Sequence, residues 1–470
     1  MSKKDELLAQ IDALIEASRG ELAADTIKLV NIRSVQTEPA PGAPFGEGPR
    51  KVLDAFIEMG DELGLVCNDY GVGVVSAAMQ AGQPDLGIWL HGDVVHEGDN
   101  WSFEPYSAVE YKGCIIGRGA TDNKGQLAAV YHVFKIFKQL GIELSYNPAI
   151  YVGSNEETGM GDMTGIPGNP DAKGFLNVCT PPRLSLVPDG SFPVAYGGKG
   201  GMNITLRSKT PLHGFTMTAG SSDAPGNATA VFESLDIPDT LADCTVTKGS
   251  KTEVTTFTPP RHTTKPDPNG NMITLLCGAL LDANVVCQED RGVLEFIKAV
   301  SLDIHGKMLG VETEHDILGV LTVYPKTIYN DNGHPELLLN IRYPLGITFE
   351  TIVERIQAFA ENRGFSVSKT FKGVTPYMVD PNSDVIQTLT AVANEVTGED
   401  KPPFTVNGGT YAHRLPNALV FGMNGNLPPE DFPKGRGGAH GVDESVSLDR
   451  LERAMRIYAR ALLALDELEW

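Results

Sequence analysis

At 470 residues the chain exceeds one ordinary hydrophobic core and implies two or more domains. Its 41% hydrophobic and 21% charged content is that of a folded soluble protein and excludes a disordered one. Sixty acidic against 38 basic residues, a net charge of −22, argues against nucleic acid and anionic membranes as partners, since Lys and Arg carry that binding.

Leu7, Leu8, Ile11, Leu14 and Ile15 predict an amphipathic first helix. It lacks the uninterrupted apolar run and cleavage site of a signal peptide, and no stretch approaches the ~20 apolar residues of a membrane span. The six cysteines (Cys67, Cys114, Cys179, Cys244, Cys277 and Cys287) form no paired motif, which reads as buried free thiols in a reducing cytoplasm. A second helical segment starts at Asp25 and stops near Ser34, a Pro/Gly-rich loop covers 38–49, and a third helix covers 52–63. Strand runs and helices then alternate, predicting an α/β domain with a mixed, mostly parallel sheet flanked by helices.

The strand over 86–90 ends at His91-Gly92-Asp93. Asp93 is close enough in sequence to fix the imidazole tautomer of a metal-bound His91; a structural histidine is the alternative. In Gly117-Arg118-Gly119-Ala120-Thr121-Asp122-Asn123-Lys124-Gly125 the glycines set Asp122 at the mouth of a helix over 126–140, as a ligand or as an N-cap. The strand over 149–153 delivers Glu156 and Glu157 into a Gly-bounded loop. Adjacent side chains leave a strand end in different directions, so one acid can bind a metal while its neighbour moves a proton; a solvated acidic loop is the alternative. The strand over 183–188 ends at Asp189, a ligand or a plain turn residue.

From about Gly197 the chain becomes rich in Thr, Gly and Pro. Strand-like runs at 202–206, 254–257 and 337–343 and helical patterns at 271–281 and 349–362 predict an inserted α+β domain. The expected organisation is a catalytic domain over 1–196 and 375–470, interrupted by a domain over 197–374. The α/β pattern resumes with a helix from Asp384, a segment at 404–412, a buried strand at 418–422, a loop carrying His440, and a final helix over 448–468. His91, Asp122, Glu157, Asp189 and His440 therefore all follow strands, and in an open α/β sheet such loops converge on one edge. Two His and three carboxylates suit Zn²⁺, Mn²⁺ or Co²⁺, and five ligands suit two ions about 3.5–4 Å apart with one carboxylate bridging.

These motifs (His-Gly-Asp-Val-Val at 91–95, Gly-Arg-Gly-x-x-Asp-x-Lys-Gly around Asp122, Asn-Glu-Glu-Thr-Gly at 155–159, Pro-Asp-Gly at 188–190 and Ala-His at 439–440) resemble the two-metal aminoacylase/carboxypeptidase family of metallopeptidases. Gly-Gly-Thr-Tyr at 408–411 and Asn-Ile-Arg-Tyr-Pro at 340–344 look most like its bacterial PepV-type dipeptidases. The resemblance implies a metallo-dipeptidase holding two divalent ions, zinc first with manganese or cobalt as alternatives. Asp122 would bridge them, His91 and Asp189 would complete one shell, and Glu157 and His440 the other. Glu156 would be the general base and Asp93 the orienter of His91. The Asp122–Asn123 peptide would be cis. The inserted domain would be a lid, with Arg342 and the Gly409 backbone binding the substrate carboxylate and His262 stabilising the oxyanion.

His262 departs from the family's Gly-His-Ala-like context, with His213 a weaker rival, and the family's carboxylate-binding Asn has no clear counterpart beyond Asp223 or Asn227. The expected activity is hydrolysis of small peptides in the cytoplasm by a monomer or homodimer. N-acyl amino acid deacylation at the same site and a non-catalytic metal- or ligand-binding relative are the alternatives.

Overall fold

The computed structural model describes residues 3–166, 169, 171–220, 226–233, 236–257, 266–267, 270–423 and 428–470. The chain forms two units. One comprises Met1–Gly197, Met378–Phe404 and Thr410–Trp470, the other Gly198–Tyr377 and Thr405–Gly409.

The first unit is a mixed α/β structure. Its central strands Pro148–Gly153, Leu86–His91, Leu184–Val187 and Ala418–Val420 lie side by side in that order and run parallel. Every residue in them is buried, which explains continuous apolar runs where a half-exposed strand would alternate. Val74–Ala78 and then Val66–Asp69 extend one side antiparallel, and Ala195 pairs antiparallel on the other. The edge strand Val66–Asp69 is exposed or half-buried and carries no apolar run, so the sequence does not announce it.

Helix Gly125–Leu140 is buried on all sides through Phe134, packed in the core with Arg19–Val30 and Leu448–Leu465. It ends at Gly141, whose φ of 62° supplies the left-handed turn that closes many helices. Two helices begin earlier than their sequence pattern suggests. Arg19–Val30 starts six residues before Asp25 because Leu22 and Ala23 also join the core, and Glu47–Glu62 accommodates Pro49 in its first turn.

The second unit carries an eight-stranded antiparallel sheet in the order 245–248, 252–257, 227–232, 215–219, 322–331, 334–343, 200–208 and 365–374. In Phe215–Ala219 the apolar residues are buried and the threonines exposed, the signature of a sheet with one covered face. Met272–Asp282, Gln288–Leu302 and Phe349–Glu361 supply the covering core. Asn271 caps the first of these by accepting from Ile273 and Thr274 N–H.

All six cysteines are free, but only Cys114 and Cys277 are buried; Cys287 is exposed. Among the described residues no helix is long and apolar enough to cross a membrane.

Candidate metal centre

The four parallel strands end on the same edge, and the loops beyond them carry His91 and Asp93, Glu156 and Glu157, Asp189, and His440. His91 closes its strand, paired in register with Gly153, and is buried. Its Nδ1 donates to the Asp93 carbonyl oxygen at 3.0 Å, which turns the lone pair of Nε2 outward. The Asp93 carboxylate, expected to hold that imidazole, stands 3.6 Å from it and has another task. Its two oxygens accept the backbone N–H groups of Glu156 and Glu157, each at 3.1 Å. Asp93 thus orients His91 through its backbone and fixes the acid pair through its side chain.

Asp122 is no helix cap. The N-cap position of helix Gly125–Leu140 is Lys124, and Asp122, with φ and ψ of −131° and 88°, lies in the turn that follows left-handed Gly119. The Asp122–Asn123 peptide is cis. The carboxylate stands between two imidazoles, with Oδ1 3.0 Å from His91 Nε2 and Oδ2 3.2 Å from His440 Nε2. His440 Nε2 also lies 3.0 Å from Glu157 Oε1. Potential ligand atoms of His91, Asp122 and Asp189 fall within 4.8 Å of one another, as do those of Asp122, Glu157 and His440. The five residues therefore form two groups sharing Asp122.

Burial outweighs every other influence on Asp189 and, reinforced by Asp122, pushes its carboxyl up to about 7. Burial likewise raises Glu157 against the pull of His440. Burial also pushes Asp122 upward, but His440 and His91 together hold it below the usual carboxylate range. Those same two acids, Asp122 before Glu157, raise His440 to about 11. Glu156 is in neither ligand group. It is buried, burial and then Asp189 raise it well above the ordinary range, and its Oε1 has no hydrogen-bond partner among the described residues.

Arg118 and Glu444, both 1% exposed, hold this arrangement from behind. Glu444 accepts Arg118 Nη1 at 2.6 Å and the backbone N–H groups of Gly119, Thr121 and Asp122 at 3.0–3.1 Å. Arg118 Nη2 donates to the His440 carbonyl oxygen, so one buried pair fixes both Asp122 and His440. Gly-Arg-Gly marks Arg118 in the sequence, but nothing there marks a partner 326 residues away. Glu444→Ala strips a buried guanidinium and three amides of their acceptor and is expected to destabilise folding by about 3–5 kcal/mol. Chemical denaturation measures this, and a loss below about 1 kcal/mol contradicts the clamp.

Residues 88–464 match the family model described as peptidase family M20/M25/M40. The chain belongs to that family. "Putative dipeptidase YtjP" of Bacillus subtilis is 28% identical over 469 residues, covering 95% of this chain and 97% of that one. Human carnosine dipeptidase 1 aligns with a TM-score of 0.57 and 16% identity over 98% of this chain and all of that one. The di-peptidase Dug1p of Saccharomyces cerevisiae aligns with a TM-score of 0.58 and 15% identity over 98% and 99%. At such identities the two structures speak for the fold.

The donor chemistry of this M20/M25/M40 peptidase fits a pair of divalent cations. Two imidazoles and three carboxylates are the hard-to-borderline set that zinc, manganese and cobalt accept, and no cysteine stands in either group. Glu156, Glu157 and Asp189, crowded beside Asp122, have their proton affinity raised by burial and by neighbouring carboxylates, a repulsion that bound positive charge relieves.

The remaining expected residues belong to the second unit. Arg342 Nε is buried without a hydrogen-bond partner among the described residues, and burial lowers the guanidinium's proton affinity. A Cβ on Gly201, its register partner on the neighbouring strand, would run into Arg342 Nη1. Gly409 is exposed beside Val374. His262 and Asp223 lie outside the described residues. Asn227 opens the strand Asn227–Phe232, and His213 pairs with Asp290.

Proposed function

We propose that this M20/M25/M40 peptidase is a cytoplasmic metallo-dipeptidase that cleaves the amide of dipeptides bearing a free amino end. The observation carrying this reading is Asp122, shared between two imidazoles, with the unligated Glu156 beside it. His91 and Asp189 would complete one metal shell, and Glu157 and His440 the other. Two bound divalent cations would supply acidity, lowering the pKa of a coordinated water toward neutral. Glu156 takes the proton of that water and passes it to the departing amine. Asp93 keeps Glu156 and Glu157 in register with each other. Arg342 receives the substrate carboxylate in the rigid fork of its guanidinium, and Gly409 supports it through its backbone. His262 donates to the developing oxyanion. The dipeptidase name of the B. subtilis relative supports the substrate class.

Protein reconstituted with Zn²⁺, Mn²⁺ or Co²⁺ and offered a dipeptide library beside N-acetyl and N-succinyl amino acids is expected to hydrolyse only the dipeptides. Hydrolysis confined to the acylated amino acids transfers the same site to deacylation. Arg342→Ala is expected to raise KM for dipeptides about 10- to 100-fold, the worth of a charged hydrogen bond. An unchanged KM would remove Arg342 from the substrate site.

A further inference from the structure

A second donor cluster stands in the other unit, formed by His213, Cys287 and Asp290. His213 lies in the connection between strands Gly200–Ser208 and Phe215–Ala219, while Cys287 and Asp290 sit at the start of helix Gln288–Leu302. Asp290 is 1% exposed, and its two oxygens accept the backbone N–H of His213 at 3.2 Å each. That grip holds the ring so that Nδ1 is 3.0 Å from Asp290 Oδ1. The Cys287 thiol donates to Asp290 Oδ2 at 3.1 Å, and its sulfur is 3.8 Å from His213 Nδ1. Sulfur, nitrogen and oxygen thus surround one point, with solvent reaching the exposed ring and thiol.

Capping does not explain the cysteine. Cys287 occupies the N-cap position, where its sulfur is only a weak acceptor for the Asp290 backbone N–H and Ser, Thr, Asp or Asn would serve better. The donor separations do fit a metal. Asp290 turns Oδ1 toward the imidazole and Oδ2 toward the thiol, and one donor atom from each of the three residues lies within 4.8 Å of the others, a spacing that zinc bonds of about 2.3 Å to sulfur and 2.0–2.2 Å to nitrogen and oxygen can span. The Cys-x-x-Asp spacing places both helix donors on the first turn, and the loop supplies the third from a segment that Asp290 already pins.

We propose that His213, Cys287 and Asp290 form a separate site for a thiophilic divalent cation of the zinc class. It fastens the 209–214 connection to the helix start, with water or the neighbouring Glu289 in the fourth position. On binding, the thiol releases its proton to solvent and His213 ligates through Nδ1 as the Nε2–H tautomer. The site is independent of the catalytic reading and its donors differ in kind. A thiolate bound to Co²⁺ produces a near-ultraviolet charge-transfer band that the nitrogen and oxygen donors around Asp122 do not.

Titration of the full-length chain with Co²⁺ under thiol-free reducing conditions tests this. The expected result is a thiolate band equivalent to one ion per chain, bleached by Zn²⁺ and abolished in Cys287→Ser. His213→Ala should weaken its formation by at least about tenfold. Dipeptide turnover at saturating metal should be unchanged in both variants. Absence of the band in the wild type overturns the proposal, as does its survival in Cys287→Ser or an undiminished affinity in His213→Ala.

Discussion

Glu156→Ala is expected to lower kcat roughly 10²- to 10⁴-fold while metal content stays at the wild-type level. The expectation rests on the position of this side chain relative to its neighbour. Both acids are held by one carboxylate, since Asp93 accepts the N–H of each at 3.1 Å. Only Glu157 then turns to His440, leaving Glu156 Oε1 buried without a partner among the described residues. A buried carboxylate left unsatisfied is costly and marks a group retained for chemistry rather than for stability. The variant should fold as the wild type does, because the backbone bonds to Asp93 remain. Measuring kcat with metal content by elemental analysis separates the outcomes. Activity above about a hundredth of wild type removes Glu156 as the base, and loss of metal in parallel makes it a ligand instead.

Three of the five candidate donors, His91, Glu157 and Asp189, are legible because each sits in a short motif at or just past a strand end, where a sequence position is also a spatial one. The strands that carry those three declare burial on both faces through their apolar runs, whereas Asp122 comes from a glycine-rich turn and His440 from a long loop. What supports them is long-range and leaves no local mark. The Asp93 carboxylate reaches residues 63 and 64 positions away in place of its neighbour His91, and Glu444 reaches back to the Asp122 loop. Such partners are chosen by the fold, so spacing says nothing about them.

Legibility also differs between the units. Strands such as Phe215–Ala219 in the second unit put apolar residues on one face and threonines on the other, so they carry only two or three apolar residues each, a shorter signal than the continuous buried runs of the first. Helix Gln288–Leu302 is legible in principle from its acidic first turn and from Val293, Leu294, Phe296, Ile297 and Val300, but Gly292 and a cysteine at the N-cap position weaken its opening. The His213, Cys287 and Asp290 cluster escapes a search for cysteine pairs because it holds a single thiol, and its histidine lies 74 positions away.

Asp122→Ala and His440→Ala are expected to differ in what they do to metal content, and the difference tests whether Asp122 is shared. Removing His440 takes a donor from the group it forms with Asp122 and Glu157 and leaves His91, Asp122 and Asp189 intact. That variant should keep one of two catalytic ions. Removing Asp122 takes a donor from both groups, leaving His91 with Asp189 and Glu157 with His440, two donors each where catalytic sites use three or more. Metal affinity should then fall more than about 100-fold at both positions, beyond the usual cost of losing a supporting residue. Competition with a metallochromic chelator at fixed pH resolves the two ions. Equal metal retention in the two variants would mean that the carboxylate belongs to one ion only. The two-ion assignment would then fail even with every donor in its present place, since the joint position of Asp122 alone makes five ligands serve two cations.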